Sequence, residues 1–173
     1  MRKLIIDRSV PFDPETFIGE GWSIVEQDVR SLALTEIDLD KVRFSTLQKR
    51  ETSLDGILNL ERLKQKTNFI QLDAKVLQAL WKNQMLIPLK WRGQKNGKGL
   101  PILFSGTKLR HPNGTTHALC LFWKNGNWCW QTTNCLKFGW DPDGPAAAII
   151  PSSKLRFPKL QFIKPFCRLN LIS

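Results

Sequence analysis

The sequence predicts an α+β fold, in which a mostly antiparallel sheet with two central helices leads into a C-terminal β-meander with long loops. Asn113-Gly114 and Asn125-Gly126 each separate two apolar runs. Such pairs favour hairpins, because both central residues of a type I′ turn need a positive φ. Apolar residues recur at helical spacing in residues 54–66 and 74–83. Hydrophobic residues form 42% of the chain, enough for a sizeable core.

The N-terminal part is predicted to alternate short strands with turns. Residues 1–8 predict a strand, and Asp13 followed by Pro14 predicts the capped start of a helical turn. A second strand is expected around Trp22. Residues 31–47 have strand character, with a bend at Asp40-Lys41 where the apolar alternation slips by one residue.

The two central helices begin at capping residues. Ser53 precedes the first apolar series, and Asp73 precedes the second, which we expect to place Val76, Leu77 and Leu80 on one face. Two helices followed by a hairpin also describe a winged helix-turn-helix. In that alternative the polar face of the second helix would read DNA through Lys75, Gln78, Lys82 and Asn83.

The meander is expected to occupy residues 101–150, with strands over 101–106, 115–123 and 128–130. Residues 131–139 show neither helical nor strand periodicity and are predicted to be irregular. Residues 1–150 therefore form one α+β domain, of which 1–100 are the N-terminal helical and strand part. Residues 151–173 are read as a basic, proline-containing tail.

Charge is distributed unequally along the chain. The net charge is +11, yet residues 1–85 carry as many basic as acidic side chains, while residues 86–173 carry only Asp141 and Asp143 as acids. A basic C-terminal half favours an anionic partner. Nucleic acid is the usual one, and Trp123, Trp128 and Trp130 would suit stacking of single-stranded bases. A tryptophan pair on the core face of the sheet is the alternative interpretation.

No apolar run has the length of a signal peptide or a membrane span, so we expect a cytoplasmic protein with reduced cysteines and no membrane-spanning segment. His117, Cys120, Cys129 and Cys135 are the residue types of a zinc site. Cys120 lies within an apolar strand, however, where a cysteine behaves as a small hydrophobe. We therefore expect no metal, no other cofactor and no catalytic constellation. A hydrolase would depend on Asp141 and Asp143.

Trp128-x-Trp130, Leu136, Trp140 and Pro145-Ala146-Ala147-Ala148-Ile149 form a frame around changing residues. This pattern resembles a C-terminal signature of uncharacterised bacterial proteins, and N-terminal phrases such as Pro11-Phe12-Asp13-Pro14 look like the same family. The whole is similar to the target (variable) proteins of diversity-generating retroelements. Cys135 departs from the family pattern, which has Trp there.

The resemblance implies a non-enzymatic binding module, with a C-type-lectin-like fold that presents a variable ligand-binding face on residues 128–144. The ligand would be a protein or another macromolecule. Trp128, Trp130, Trp140 and Pro145 would be scaffold. The variable face would comprise Cys129, Gln131, Thr132, Thr133, Asn134, Lys137, Phe138, Gly139, Asp141 and Asp143.

Overall fold

The computed structural model describes residues 2–45, 65, 68–95, 98–99, 101–134 and 146–151; for residues 94, 95, 98, 99, 146 and 147 it describes the backbone alone. Within these ranges the chain is α+β, with mostly antiparallel sheets and few helices. The elements are β1 (Lys3–Ile5), α1 (Pro14–Phe17), β2 (Ser23–Gln27), α2 (Val29–Leu32), β3 (Glu36–Asp38), β4 (Arg43–Ser45), β5 (Phe69–Gln71), α3 (Ala74–Lys82), β6 (Gln94–Lys95), β7 (Lys98–Gly99), β8 (Ile102–Arg110), β9 (Thr116–Lys124), β10 (Asn127–Asn134) and β11 (Ala146–Pro151).

The main sheet has seven strands in the described part of the chain. Its path is β10-β9-β8-β11-β4, while β2 pairs with the second half of β8 and β5 pairs with β11. The pairs are antiparallel except that of β11 with β8. Smaller two-stranded sheets join β1 to β3 and β6 to β7. The predicted meander of β8, β9 and β10 is therefore confirmed.

The two predicted hairpin turns differ in geometry. Asn125 and Gly126 both have positive φ, at 50° and 82°, as a type I′ turn requires. At the other turn only Gly114 is left-handed, at 85°, and its N–H donates to the His111 carbonyl at 2.8 Å. This loop is a type I turn followed by a left-handed glycine, because Pro112 at its second position cannot adopt positive φ.

Helix α3 begins as predicted. The Asp73 carboxylate accepts a hydrogen bond from the Val76 N–H at 3.0 Å, and the Thr107 hydroxyl accepts one from the Ala74 N–H at 3.1 Å. The apolar face with Val76, Leu77 and Leu80 is buried against β8 and β9. One face of the sheet and this helix thus enclose the main core. The predicted helix over 54–66 and the tail after Pro151 lie outside the described residues.

The N-terminal predictions are partly confirmed. β1 and the Asp13-capped helix α1 form as expected, and Leu39–Lys41 make a turn of 3-10 helix at the predicted bend. The strand expected from residue 31 is wrong at its start, because the Asp28 carboxylate caps the helical turn α2. Among the described residues no helix is long and apolar enough to cross a membrane.

Candidate binding surface

Trp128 and Trp130, the two tryptophans of the predicted frame that the structure describes, lie on one face of β10. Trp128 lies opposite Trp123 on β9, and Trp130 lies opposite Leu121. Because side chains alternate along a strand, both face the main core. Trp128 is only 5% exposed and meets the Trp123 ring edge-on at 5.2 Å. The prediction that these two tryptophans share one strand face is confirmed. Trp128 belongs to the main core, and Trp130 packs against it.

Trp130 is held by two elements distant in sequence. Its ring stacks on Phe17 of α1 at 4.6 Å between centroids and 23° between planes, and Trp81 of α3 meets it edge-on at 6.5 Å. Phe17 in turn packs edge-on against Phe12. One face of Trp130 is therefore occupied by the protein, which leaves it poorly suited to stack on a nucleic-acid base.

Residues 131–134 are not irregular, contrary to the sequence prediction. They complete β10 by pairing with residues 117–120 of β9. Residues 131–134 are all polar, so their sequence shows no alternation of apolar and polar side chains. Their strand conformation comes from pairing with β9.

Strand alternation divides the described members of the predicted variable face. Cys129, Gln131 and Thr133 lie on the side away from α3, whereas Thr132 and Asn134 lie on the side of Trp130. Gln131 is exposed, and Thr133 is buried. The face therefore does not present its β10 members together, and Gln131 is its most accessible described residue.

The strands on either side of residues 135–145 run in the same direction. β10 and β11 are each parallel to β8, so the connection from Asn134 to Ala146 is a crossover and not a hairpin. Ala146 lies level with Trp130, four positions before the end of β10. The remaining predicted site and scaffold residues, Lys137, Phe138, Gly139, Trp140, Asp141, Asp143 and Pro145, lie outside the described residues.

Cys135 of the zinc grouping lies outside the described residues, and the sheet separates the other three. Cys120 and Cys129 point to one face, and His117 is on the other. Burial raises the pKa of the Cys120 thiol to about 11, against a weaker opposing effect of hydrogen bonds with Gln131. A thiol with this pKa is a poor metal ligand and a poor nucleophile at neutral pH. Within the described ranges no cluster of three metal-ligating side chains occurs.

The polar face of α3 borders an open cleft. Lys75, Gln78 and Lys82 line this cleft of about 450 Å³ together with Asp7 and Val10 of the N-terminal segment. The hairpin that would be the wing, β8 with β9, lies within the main sheet. The first helix of the winged helix-turn-helix alternative lies outside the described residues, so this alternative stays a prediction.

An arginine contacts the end of β9. The Arg92 guanidinium lies over the Trp123 ring at 3.8 Å from its centroid, a cation–π geometry. The backbone of the β6–β7 hairpin packs beside β9.

Sequence reasoning missed a histidine pair beside β2. His111 and His117 stack at 5.4 Å, and both meet Trp22 edge-on. The Thr115 hydroxyl lies 2.9 Å from His117 Nε2. Burial, and secondly the charge of His111, lowers the pKa of His117. The pairing of β2 with β8 brings Trp22 here, and no local pattern in the sequence announces that pairing.

Comparisons of the chain with protein-family models, with curated proteins and with solved structures find no match. Among the described residues of the predicted face, the outer side of β10 around Gln131 is the most accessible part.

Proposed function

We propose that this protein is a non-enzymatic binding module that presents a ligand-binding face on residues 128–144, on a frame like that of C-type-lectin-like variable proteins. The observation that carries the proposal is the stack of Trp130 on Phe17. It joins the start of the proposed binding segment to Phe17, which follows Pro11-Phe12-Asp13-Pro14 in the N-terminal stretch that carries the family resemblance. A segment anchored in this way loses little conformational entropy when a ligand binds.

The frame and the face have separate physical roles in this proposal. Trp128 and Trp130 contribute burial and fix the direction of β10, so replacing either should unfold the protein. Gln131 is exposed and Cys129 half-buried on the outer side, and their replacement should leave the core unchanged. Residues 137–144 would complete the face. Thr133 is excluded from the face in this form of the proposal, because it is buried.

Two display libraries test the proposal without knowledge of the natural ligand. One randomises members of the face, namely Cys129, Gln131, Lys137, Phe138, Gly139, Asp141 and Asp143, and leaves Trp140 unchanged. The comparison library randomises Trp123, Trp128 and Trp130. We expect most members of the first library to resist proteolysis and to yield clones that bind members of a panel of unrelated globular proteins. The second library should be mostly degraded. If both libraries unfold equally often, or if the folded first library yields no binders, the proposal is wrong.

A second candidate is nucleic-acid binding, and the excess of basic residues in 86–173, with the Arg92 guanidinium placed at the end of β9, favours it. The contact would be made to phosphates, since the described tryptophan rings of β9 and β10 pack on protein groups. Phosphate contacts release counterions, so affinity should fall steeply with salt.

This candidate is tested with labelled single-stranded and duplex oligonucleotides at about 50 and 200 mM salt. Lys95→Gln with Lys98→Gln should weaken binding to all sequences alike and reduce the salt dependence. Lys3→Gln with Lys41→Gln removes two lysines from the other half of the chain and serves as the control. Absence of binding at low salt would eliminate the candidate.

A further inference from the structure

Asn125 lies at the tip of the β9–β10 hairpin, directly before a glycine. The chain has Asn-Gly pairs at 96–97, 113–114 and 125–126, and the first of these lies outside the described residues. Asn125 and Gly126 are both exposed. Glycine has no Cβ, so its backbone nitrogen is open to the side chain of the preceding asparagine. Such a pair can react within itself, because a nucleophile and an electrophile of one chain are held close together.

The groups that would react at Asn125 are not engaged by the protein. Among the described residues, neither the side-chain amide of Asn125 nor the N–H of Gly126 has a hydrogen-bond partner. The main-chain carbonyl of Asn125 accepts a hydrogen bond from the Asn127 side chain at 3.2 Å. The Asn125 side chain can therefore turn toward the Gly126 nitrogen without breaking a hydrogen bond.

The same dipeptide at Asn113-Gly114 is held differently. The Gly114 N–H donates to the His111 carbonyl at 2.8 Å. Asn113 Oδ1 accepts hydrogen bonds from the Thr115 N–H at 3.1 Å and from the Thr115 hydroxyl at 2.6 Å, as in an Asx-turn. Both reacting groups are thus engaged, although Asn113 is also exposed. The two sites share one dipeptide and differ in structure.

We propose that Asn125 is a modification site, where the side-chain amide is converted to an acid, and that the fold protects Asn113 from the same change. The Gly126 nitrogen loses its proton to water and attacks Cγ of Asn125, which forms a C–N bond and closes a succinimide ring. The Cγ–Nδ2 bond breaks, and Nδ2 takes a proton from water and leaves as ammonia. A second water opens the ring at either carbonyl, to aspartate or isoaspartate. The net change consumes one water, releases one ammonia and involves no oxidation.

The modification would alter the turn that it occurs in. In isoaspartate the main chain runs through the side-chain methylene, so the loop becomes longer by one carbon. A two-residue turn fixes the register of the strands that it joins, and this one sets Asn127 opposite Lys124. The new carboxylate also places a negative charge next to Lys124. The change at Asn125 therefore weakens the pairing at the start of β10.

Incubation of the full chain at neutral pH and physiological temperature, followed by trypsin and mass spectrometry, tests the proposal. Cleavage after Arg110, Lys124 and Lys137 places the two asparagines in separate peptides, and fragment ions locate the changed residue. A sample digested without incubation gives the background. We expect acid to form at Asn125 at least about fivefold faster than at Asn113, because one hydrogen bond that must break first slows a reaction by about that factor.

Two controls separate the effect of the fold from that of the dipeptide. In guanidinium, where the chain is unfolded, both asparagines should react at similar rates. Asn125→Gln should remove the fast change from a peptide that also contains Asn127 and Asn134, and should leave Asn113 unaffected. Equal rates in the folded protein, or faster reaction at Asn113, overturn the proposal. So does a preference for Asn125 that persists in guanidinium, or a fast change that survives Asn125→Gln.

Discussion

Arg8 forms a two-point ion pair with Asp73, whose side chain is fully buried. Arg8 Nη1 lies 2.8 Å from one carboxylate oxygen and Nη2 lies 3.3 Å from the other. The same guanidinium donates hydrogen bonds to the carbonyls of Leu34 and Ser31, both at 2.9 Å. One side chain therefore ties the N-terminal segment and the end of α2 to the cap of α3.

Arg8→Ala should destabilise the fold by about 3–5 kcal/mol, because it leaves the Asp73 charge buried without its partner. Urea unfolding followed by circular dichroism measures the loss. Lys3→Ala breaks the exposed pair with Glu36 and should change stability little. A similar, small effect of both substitutions would contradict this view of Arg8.

Gly106→Ala should cost about 1–3 kcal/mol, because its Cβ would lie 2.6 Å from the Gln71 carbonyl oxygen. That neighbour is backbone, and Gly106 is held on both sides by hydrogen bonds to Leu72 and Asp28. Gly93→Ala is the control, since its nearest neighbour would be 3.9 Å away. Equal melting temperatures for the two variants would show that β8 can shift.

Stability should fall on acidification through the titration of His117. Its folded pKa lies below the usual value of 6.5, so the unfolded chain takes up the proton first. The stabilising contribution is complete above pH 6.5 and is lost as the pH falls through the folded pKa. Urea midpoints between about pH 7.5 and 5.5 stay above most carboxylate titrations. His117→Gln should flatten the dependence, and an unchanged slope in this variant would exclude His117 as its source.

Cys120 should react with iodoacetamide at least about tenfold more slowly than Cys129 at pH 7.5, because its buried thiol has a pKa of about 11. Trypsin cleaves after Lys124 and separates the two residues for mass spectrometry. Labelling in 6 M guanidinium is the control and should abolish the difference. Equal rates in the folded protein would show that β9 opens readily.

The features that the sequence predicts well depend on local chemistry. The turn at Asn125-Gly126 needs positive φ at two residues, and Asp13 and Asp73 cap helices within three residues of themselves. Trp128 and Trp130 share a face because side chains alternate along any strand. Each of these features is determined by residues that are close together in the chain. The sequence alone was therefore sufficient to predict them.

The features that it missed depend on contacts between distant segments. Strand order in Gln131–Asn134 comes from β9, and the position of Trp22 comes from the pairing of β2 with β8. Arg8 reads as an ordinary surface residue until Asp73, 65 positions later, is placed against it. For the predicted face, the sequence placed Trp128 and Trp130 on one side of a strand but missed the alternation that separates Gln131 from Thr132.

The placement of β11 has a consequence for how the chain folds during synthesis. β11 pairs with β4, β5 and β8, so the last strand of the described part of the chain enters the middle of the sheet. Until residue 151 has emerged from the ribosome, β4 and β5 cannot pair with β11. The edge of β8 that pairs with β11 also stays unpaired. Such late, long-range pairing slows folding and leaves strand edges accessible to other chains. A nascent chain of this protein should therefore depend on chaperones until β11 is inserted.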